Sequence, residues 1–543
     1  MTATRLLSHL RADRARAWII ALPRWKRRAF LFFAGAIGAL AHAPFFLFPT
    51  LIIGLTGLIW SLDGARRDPR PARAGFGRAF VFALGYFCAG VFWIAFAFFN
   101  RGPVFTPFGP LAVLGAAILL SVFWGLAGAL QARFAGRGAI RVLIFAVLVF
   151  AAEWMRGHVL TEFPWNLPAY VWAGGGTISQ SASVLGAWGL SLITLMAFCA
   201  PATLAGVRPA GGRHAPVLLA FLVFAMLTAW GAQRLAGAGA DLMEGVRVRV
   251  VNVTMSQREK WAEGNEDAVR DRYLAAMSAP GLEAVSHVIW PEGALPIYLL
   301  EDGAALRLIG RQLADGPMLV TGTPRRDVEE TGRTRYYNSV AAIRFPGGRP
   351  QLEHLYDKVL LVPFGEYIPL APLFRSLGVE TLSDMVEGYS RGPGSDVFNF
   401  SGAPPAAPLV CYEIVFPRFA PHGRERPAWI INVSNDAWFG PTAGPAQHFN
   451  IARYRALESG LSVVRSASGG YSGVIDPYGR ARQIIGVDEE GAHDFAVPAP
   501  LPAPLYARLG NSLWVALLFV VVLVIAACKR NAVSFAGQRD SRH

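Results

Sequence analysis

Three residues whose types suit covalent catalysis at a carbonyl stand in order in the second half of the chain. They are Glu292 in "VIWPEGALP", Lys358 in "LYDKVLLVPFGEYIP" and Cys411 in "APLVCYEIVFP". A cysteine nucleophile needs a base to take its proton and a donor to stabilise the oxyanion that forms. Glu292 and Cys411 each follow an apolar run of strand length, and α/β folds carry reactive groups past the carboxyl ends of strands. This pattern predicts a base and a nucleophile just past strand ends, with Lys358 as the candidate cation.

Each of the three residues also has a simpler interpretation. Cys411 could be a small core residue, Glu292 a helix or turn cap, and Lys358 a strand-surface lysine. The position of Cys411 argues against a core role, because Tyr412 and Glu413 follow it directly. Lysine is rare here, with four among 51 basic residues, and an ammonium donates to an oxyanion in a way that a guanidinium does not readily imitate. No histidine between residues 246 and 505 has a recognisable catalytic spacing.

The composition is too apolar for an ordinary soluble enzyme. Of 543 residues, 53% are hydrophobic and 16% are charged. The net charge of +14 would suit nucleic acid only if the basic residues covered one face, but they cluster between apolar runs. We therefore expect a membrane protein that binds no nucleic acid.

Apolar runs long enough to cross a bilayer predict about eight transmembrane helices. They lie at 28–44, 46–62, 78–99, 109–131, 141–155, 178–205, 215–234 and 511–528. The segments that flank the predicted spans fall into two alternating sets along the chain. One set holds 22 Lys and Arg in all, whereas the short segments of the other set hold two. By the positive-inside rule, both termini are then cytoplasmic and the region between the last two spans lies on the outer face.

From about Val246 the apolar runs shorten to strand length and alternate with helical patterns. This alternation predicts an α/β layer domain. Strands are expected at 246–253, 285–292, 317–324, 338–345, 407–411, 428–435, 461–468 and 471–479, and helices at 264–283, 303–315 and 444–459. The predicted organisation is a seven-helix transmembrane domain (1–235), a linker (236–245), a catalytic domain (246–505), a C-terminal transmembrane helix (511–528) and a cytoplasmic tail (529–543).

The cysteine count leaves Cys411 without a disulfide partner in its own domain. Cys88, Cys199 and Cys528 all lie within or beside predicted spans. Outside the bacterial cytoplasm the compartment is oxidising, so a free thiol there is a liability unless it is buried or useful.

Several motifs resemble a known family. "WPEGALP", "YDKVLLVPFGEYIP" and "VCYEIVFP" resemble the Glu-Lys-Cys motifs of the nitrilase superfamily, the carbon–nitrogen hydrolases. Seven spans before this domain and one after it make the whole chain resemble the bacterial apolipoprotein N-acyltransferase family. Further matches are "FPWNLPAY" (163–170), "EKWAEGN" (259–265), "NVSNDAWFG" (432–440) and "HFNIARYRALE" (448–458), with a looser match at "RSASGGYSGVID" (465–476). The resemblance implies a nitrilase-like αββα sandwich joined to a polytopic α-helical membrane domain.

The resemblance also implies roles for particular residues. Glu292 would be the general base, Lys358 the oxyanion-stabilising cation and Cys411 the nucleophile. The supporting residues that it implies are Glu366, Glu413, Tyr412 and Trp261.

The proline-broken apolar stretch 362–380 is interpreted as a loop that dips into the bilayer interface and gates lipid entry. Aromatic residues of the outer loop at 163–172 fit either the lipid entrance or an interfacial belt. The candidates for lipid contact are Phe364, Tyr367, Trp165, Trp438 and Phe439.

The implied reaction moves a fatty acyl chain from a phospholipid, such as phosphatidylethanolamine, to a thioester on Cys411. The acyl chain then passes to the α-amine of the N-terminal diacylglyceryl-cysteine of an apolipoprotein. No cofactor or metal is implied. We expect a monomer in a bacterial inner membrane, with its catalytic domain in the periplasm.

Three other functions compete with acyl transfer. A membrane-bound amidase or nitrilase would use the same triad and pass the acyl group to water. A transporter or receptor is disfavoured because the spans carry few charges apart from Glu153. A metalloenzyme or nucleotide-binding protein is disfavoured because the sequence has no HExxH motif, paired Cys/His cluster or Walker lysine.

Overall fold

The computed structural model describes residues 3–136, 138–160, 162–206, 210–239, 241–330, 332–369, 388–394, 397–417 and 426–540. The chain packs as two compact units. The first comprises Met1–Ala95, Pro107–Gly237 and Leu505–His543, and the second comprises Phe96–Thr106 and Ala238–Pro504. The short segment Phe96–Thr106, predicted as part of the membrane domain, therefore packs with the second unit.

The first unit is helical. Its helices are α1 Ala3–Ala21, α2 Arg24–Gly38, α3 Phe48–Ala65, α4 Pro71–Gly90, α5 Ile94–Phe99 (which continues into the second unit), α6 Phe108–Phe134, α7 Ile140–Arg156, α8 Ala182–Cys199 and α9 Ala215–Ala236, and, after the second unit, Leu505–Leu509 and Ser512–Asp540.

Four helices among the described residues are long and apolar enough to cross a membrane. They are Phe48–Ala65, Phe108–Phe134, Ile178–Leu204 and Ala215–Ala236, and Ser512–Cys528 is a shorter apolar helix. The predicted span at 28–44 corresponds to the 15-residue α2, and the one at 78–99 is divided after Gly90. The number of eight spans stays a prediction.

Small residues let the helices of this unit approach closely. A Cβ atom on Gly75 of α4 would clash with the carbonyl oxygen of Gly128 in α6. Backbone-to-backbone contact of this kind is typical of helices that associate in a bilayer, where van der Waals packing replaces the hydrophobic effect.

In its described residues, the second unit has eleven strands with helices between them. The strands are β1 Leu242–Asn252, β2 His287–Trp290, β3 Met318–Val328, β4 Thr334–Arg344, β5 Gln351–Asp357, β6 Ala406–Val410, β7 Trp429–Asn435, β8 Ser462–Ser468, β9 Ser472–Ile475, β10 Ala481–Ile485 and β11 Gly491–Pro498. Its helices are α10 Gln257–Lys260, α11 Glu266–Met277, α12 Gly303–Gln312 and α13 Gly444–Ser459.

These strands form two sheets. One has six strands in the order β11-β1-β2-β3-β4-β5, and the other has five in the order β10-β9-β8-β7-β6. Strands β1, β2 and β3 are parallel, as are β6, β7 and β8. The carboxyl ends of each parallel set therefore meet at one edge, where the predicted reactive residues follow the strands.

The core of this unit follows from side chains that alternate along each strand. Ile289 of β2 faces the inside of the sandwich, where it packs with residues of the opposite sheet such as Ile431 and Val464. Its neighbours Val288 and Trp290 face outward and pack under α11 and α12. Helix α13 packs against β8 of the five-stranded sheet. The predicted αββα sandwich is confirmed.

Candidate active site

Cys411 is the first residue after β6 and opens the short 3₁₀ helix Cys411–Val415. Its φ angle is 46°, in the left-handed region that residues with a side chain rarely occupy. Such a conformation costs about 1–3 kcal/mol and persists where the surrounding structure enforces it. The sharp turn projects the side chain past the sheet edge, where a substrate could meet the sulfur.

Glu292 and Lys358 lie together in the same unit. Glu292 follows β2, and Lys358 follows β5 with its backbone N–H donating to the carbonyl of Asn338 at 2.8 Å. The Nζ atom of Lys358 lies 3.7 Å from Oε1 of Glu292 and 2.9 Å from Oε1 of Glu366. The structure thus brings two predicted carboxylates and the predicted cation into one buried cluster.

Asn338 ties the two carboxylates together, a role that was not predicted from its sequence context. Its Nδ2 atom donates to Oε1 of Glu292 at 2.7 Å and to Oε1 of Glu366 at 2.8 Å. With Oε1 held in this way, the buried Oε2 atom of Glu292 has no hydrogen-bond partner among the described residues. That oxygen is therefore available to accept a proton.

Electrostatics keep the cation charged and the thiol protonated. Burial alone would lower the pKa of Lys358, but the charges of Glu366 and Glu292 raise it well above its ordinary value. Burial and the charge of Glu292 raise the pKa of Cys411, and these effects outweigh the lowering by Lys358. The resting site therefore holds a neutral thiol, so the base must remove its proton as the sulfur attacks.

Glu413 holds the site together through hydrogen bonds at both of its oxygens. Oε1 accepts from the Tyr356 hydroxyl at 2.8 Å and from the N–H groups of Val359 and Leu360 at 2.8 and 3.1 Å. Oε2 accepts from the N–H of Val410 at 2.8 Å. This carboxylate joins the segment after Lys358 to the strand before Cys411, which makes it a positioning residue.

Burial raises the pKa of Glu413 to about 7, although its backbone hydrogen bonds and Lys358 lower it. A group with this pKa changes its charge near neutral pH, and its charge state therefore bears on how firmly the site is held.

A second polar cluster lies at the carboxyl end of β7, also unassigned from sequence. The Ser434 hydroxyl donates to Oδ1 of Asp436 at 2.7 Å, and Ser434 is also one of the groups that lower the pKa of Cys411. Arg465 and His448 contact the same carboxylate at 2.7 and 2.9 Å. Although burial raises the pKa of Asp436, the charge of Arg465 and its other partners bring it well below its usual range, so Asp436 is a fixed anion. "NVSNDAWFG" was the available signal, but it identified a family rather than a role.

Residues 362–367 form a tight turn around Glu366. The N–H of Val362 donates to Oε2 of Glu366 at 2.7 Å, and the N–H of Phe364 donates to the Tyr367 carbonyl at 2.7 Å. Phe364 is 60% exposed, and the Arg391 guanidinium lies over the Tyr367 ring. The rest of the predicted gate loop, 370–380, lies outside the described residues.

The other site residues predicted from the sequence differ in how much of each side chain is exposed. Tyr412 is buried against Phe416, whereas Trp261 is 50% exposed. Trp438 and Phe439 are partly exposed in the turn after β7. Trp165 belongs to the first unit and is 1% exposed, with its ring stacked on Phe163. The structure does not bring Trp165 together with the triad in one unit.

Comparisons with known proteins agree with this architecture. Residues 247–491 match the family model described as carbon-nitrogen hydrolase, and residues 34–200 match the one described as apolipoprotein N-acyltransferase N-terminal domain. The chain is also similar to an amidase of the nitrilase superfamily from Nesterenkonia AN1, with 17% identity over 49% of this chain and 95% of that one and a TM-score of 0.33. That structural likeness is too weak to support a conclusion. The two family matches define the class as a membrane-attached member of the carbon–nitrogen hydrolase superfamily.

Full-length relatives define the family within that class. The apolipoprotein N-acyltransferase of Rhodopseudomonas palustris is 36% identical over 98% of this chain and 99% of its own. That of Bradyrhizobium diazoefficiens is 38% identical over 93% of this chain and 95% of its own. The chain belongs to the apolipoprotein N-acyltransferase family, and it is a membrane protein. The predicted resemblance is confirmed.

Proposed function

We propose that this chain moves a fatty acyl chain from a phospholipid, through a thioester on Cys411, to the α-amine of an N-terminal diacylglyceryl-cysteine on a lipoprotein. Family membership supports the reaction class. The geometric observation that supports it most is the buried cluster in which Lys358 contacts Glu292 and Glu366 beside the strained turn at Cys411.

In the first half-reaction, Oε2 of Glu292 takes the thiol proton while the Cys411 sulfur attacks the ester carbonyl carbon. Lys358 stabilises the oxyanion of the tetrahedral intermediate. When the intermediate collapses, the carbon–oxygen bond breaks and protonated Glu292 gives the proton to the departing glycerol oxygen. The products are a lysophospholipid and a thioester on Cys411.

In the second half-reaction, the lipoprotein amine attacks the thioester carbonyl. Glu292 takes a proton from the attacking nitrogen, and Lys358 again stabilises the oxyanion. Collapse breaks the carbon–sulfur bond, and the sulfur recovers a proton from Glu292. The products are an amide on the lipoprotein and the free thiol, so protons balance over the cycle.

Among the three glutamates predicted at the site, Glu292, Glu366 and Glu413, the hydrogen bonds favour Glu292 as the base. Both oxygens of Glu413 accept hydrogen bonds from neighbouring groups. Both oxygens of Glu366 do so as well, from Lys358 and from the N–H of Val362. Glu292 alone among these three keeps a buried oxygen with no hydrogen-bond partner in the described part of the chain.

The lipid substrates account for attachment to a membrane. We place the chain in a bacterial inner membrane as a multi-pass monomer. The charge asymmetry of the loops is the reason for assigning both termini to the cytoplasm and the α/β unit to the periplasm. The exposed Phe364 stands two residues before Glu366, so an acyl chain that contacts this ring would be near the cluster. Tyr367, Trp438 and Phe439 are further candidates for this contact.

The proposal is tested by intact-mass analysis of the full-length protein after incubation with a phospholipid of defined acyl chains. A single acyl adduct, released by hydroxylamine, is expected on the wild type and absent from Cys411→Ala. Cys528→Ala is the matched control, because Cys528 is also a free thiol and is more exposed than Cys411. It should retain the adduct.

The alternative of a membrane-bound amidase is separated by the acyl acceptor. With a diacylglyceryl-cysteine peptide present, transfer gives an acylated peptide, whereas hydrolysis gives free fatty acid. Release of fatty acid alone, with the peptide unchanged, would contradict transfer and favour the hydrolase.

A further inference from the structure

Lys260 is a buried cation for which the mechanism above has no use. It is the last residue of α10 and 2% exposed, and its Nζ atom has no hydrogen-bond partner among the described residues. The buried cations Lys358, Arg249 and Arg465, in contrast, each lie against a carboxylate. An unpaired buried ammonium destabilises the fold, because it loses its hydration and gains no counter-charge. Its retention in a folded protein points to a partner that arrives with the substrate.

The position of Lys260 is set by the fold. Ser256 caps α10 by accepting from the N–H of Glu259 at 3.1 Å. Gln257 exchanges two side-chain hydrogen bonds with Asn435, at 3.2 and 3.0 Å, at the carboxyl end of β7. The helix is therefore anchored to the same strand edge that carries the Asp436 cluster beside Cys411.

An electrostatic interaction links the ammonium to the catalytic cluster. Burial lowers the pKa of Lys260 to about 8, whereas the charge of Glu292 raises it. Lys260 therefore lies within electrostatic reach of Glu292. In the proposed mechanism Lys358 already stabilises the oxyanion, so Lys260 is left for a different group.

We propose that Lys260 is a second cationic subsite of this centre and pairs with the phosphate of the acyl donor. This inference rests on the proposed function. In a glycerophospholipid the phosphate is only a few bonds from the ester carbonyl, so both groups lie within one site when the carbonyl is at Cys411. A lysine ammonium suits this role because it binds phosphate as a compact point charge. The subsite would favour phospholipids over neutral acyl esters.

The test compares two donors of the same fatty acid, a phosphatidylethanolamine and a neutral p-nitrophenyl ester, on the full-length protein in detergent. The variant is Lys260→Met, which keeps the length of the side chain and removes its charge. Arg258→Met is the matched control, because it removes a charge from an exposed position of the same helix. The measured quantity is the rate of acyl adduct formation on Cys411.

The Lys260→Met variant should lose roughly 10- to 100-fold in acylation by the phospholipid, the effect of one charge-assisted contact. Acylation by the neutral ester should change by less than about threefold, because that donor has no phosphate. Arg258→Met should behave as the wild type with both donors. Alkylation of Cys411 by iodoacetamide should also be unchanged in Lys260→Met, which shows that the fold and the base are intact.

Equal losses with both donors, or a parallel fall in alkylation, would mean that Lys260 acts on Glu292 or on the fold, and would overturn the subsite. Unchanged acylation by the phospholipid would overturn it as well. These outcomes leave the proposed function standing. A wild type that forms no adduct with any phospholipid would instead overturn the proposed function and the subsite together.

Discussion

The amide of Asn338 offers a sharp test of how the base is held. Replacement by Leu keeps the approximate size of the side chain and removes both donated hydrogen bonds, at 2.7 Å to Glu292 and 2.8 Å to Glu366. A hydrogen bond to a charged group contributes about 1.5–3 kcal/mol. Loss of the bond to Glu292 should therefore slow acylation of Cys411 by roughly 10- to 150-fold, since about 1.4 kcal/mol is a factor of ten.

The reason for this loss is orientation. Without Asn338, Oε1 of Glu292 is free to turn fully toward Lys358, now 3.7 Å away, and Oε2 loses the fixed orientation that the proposed mechanism requires. The assay is a single-turnover measurement of adduct formation with excess phospholipid. Asn399→Leu is the matched control, because Asn399 is exposed.

Asn338→Asp separates hydrogen bonding from shape. Aspartate has nearly the shape of asparagine, but it donates no hydrogen bond when ionised and adds a third negative charge to the cluster. It should be slower than Asn338→Leu. If the Asp variant were faster than the Leu variant, or if Leu changed the rate by less than about twofold, the idea that donated hydrogen bonds orient the base would be refuted.

Three further predictions concern the charges around the nucleophile. Glu413→Gln should abolish a pH dependence of stability. The pKa of Glu413 is about 7 in the folded state and ordinarily 4.5, so the stability of the wild type should fall as the pH rises from about 4.5 to about 7. Melting curves in detergent for both proteins check this, and identical pH profiles would contradict it. The rate of alkylation of wild-type Cys411 by iodoacetamide should still be rising at pH 9.0, because burial and the charge of Glu292 hold the pKa of the thiol above its ordinary value of 9.0. A plateau below pH 8 would contradict a neutral resting thiol. Glu366→Gln weakens the contact at 2.9 Å to Lys358 and should slow acylation of Cys411 roughly tenfold or more. A variant that is acylated at the wild-type rate would contradict this prediction.

Most strands, and the positions of Glu292 and Cys411 after two of them, were predictable because they depend on local patterns. β2 and β6 are buried and read as continuous apolar runs; Glu292 follows β2 after Pro291, and Cys411 follows β6 directly. The strands missing from the prediction are β5, β10 and β11. All three are edge strands, and unlike the edge strand β6 they carry exposed polar residues that mask the apolar pattern.

The contacts around the triad could not be predicted, because they depend on register between distant segments. Asn338 meets Glu292 and Glu366 only because β4 pairs with β5 so that Ser339 lies opposite Asp357. "NSVAAIRF" predicts a strand, but no spacing in it indicates an amide between two carboxylates. The burial of Lys260 is likewise a property of the fold, since the sequence around it, "SQREKW", is polar.

The central claim is that Cys411 carries an acyl group from one lipid to another, and a chase experiment tests it most directly. The enzyme is first acylated with an isotope-labelled phospholipid, and the remaining phospholipid is removed. The acylated protein is then mixed with a diacylglyceryl-cysteine peptide. We predict that the labelled chain leaves the protein and appears in amide linkage on the peptide, in equal amount, as the thiol is regenerated. A label that stays on the protein, or that leaves only as fatty acid, would contradict the claim.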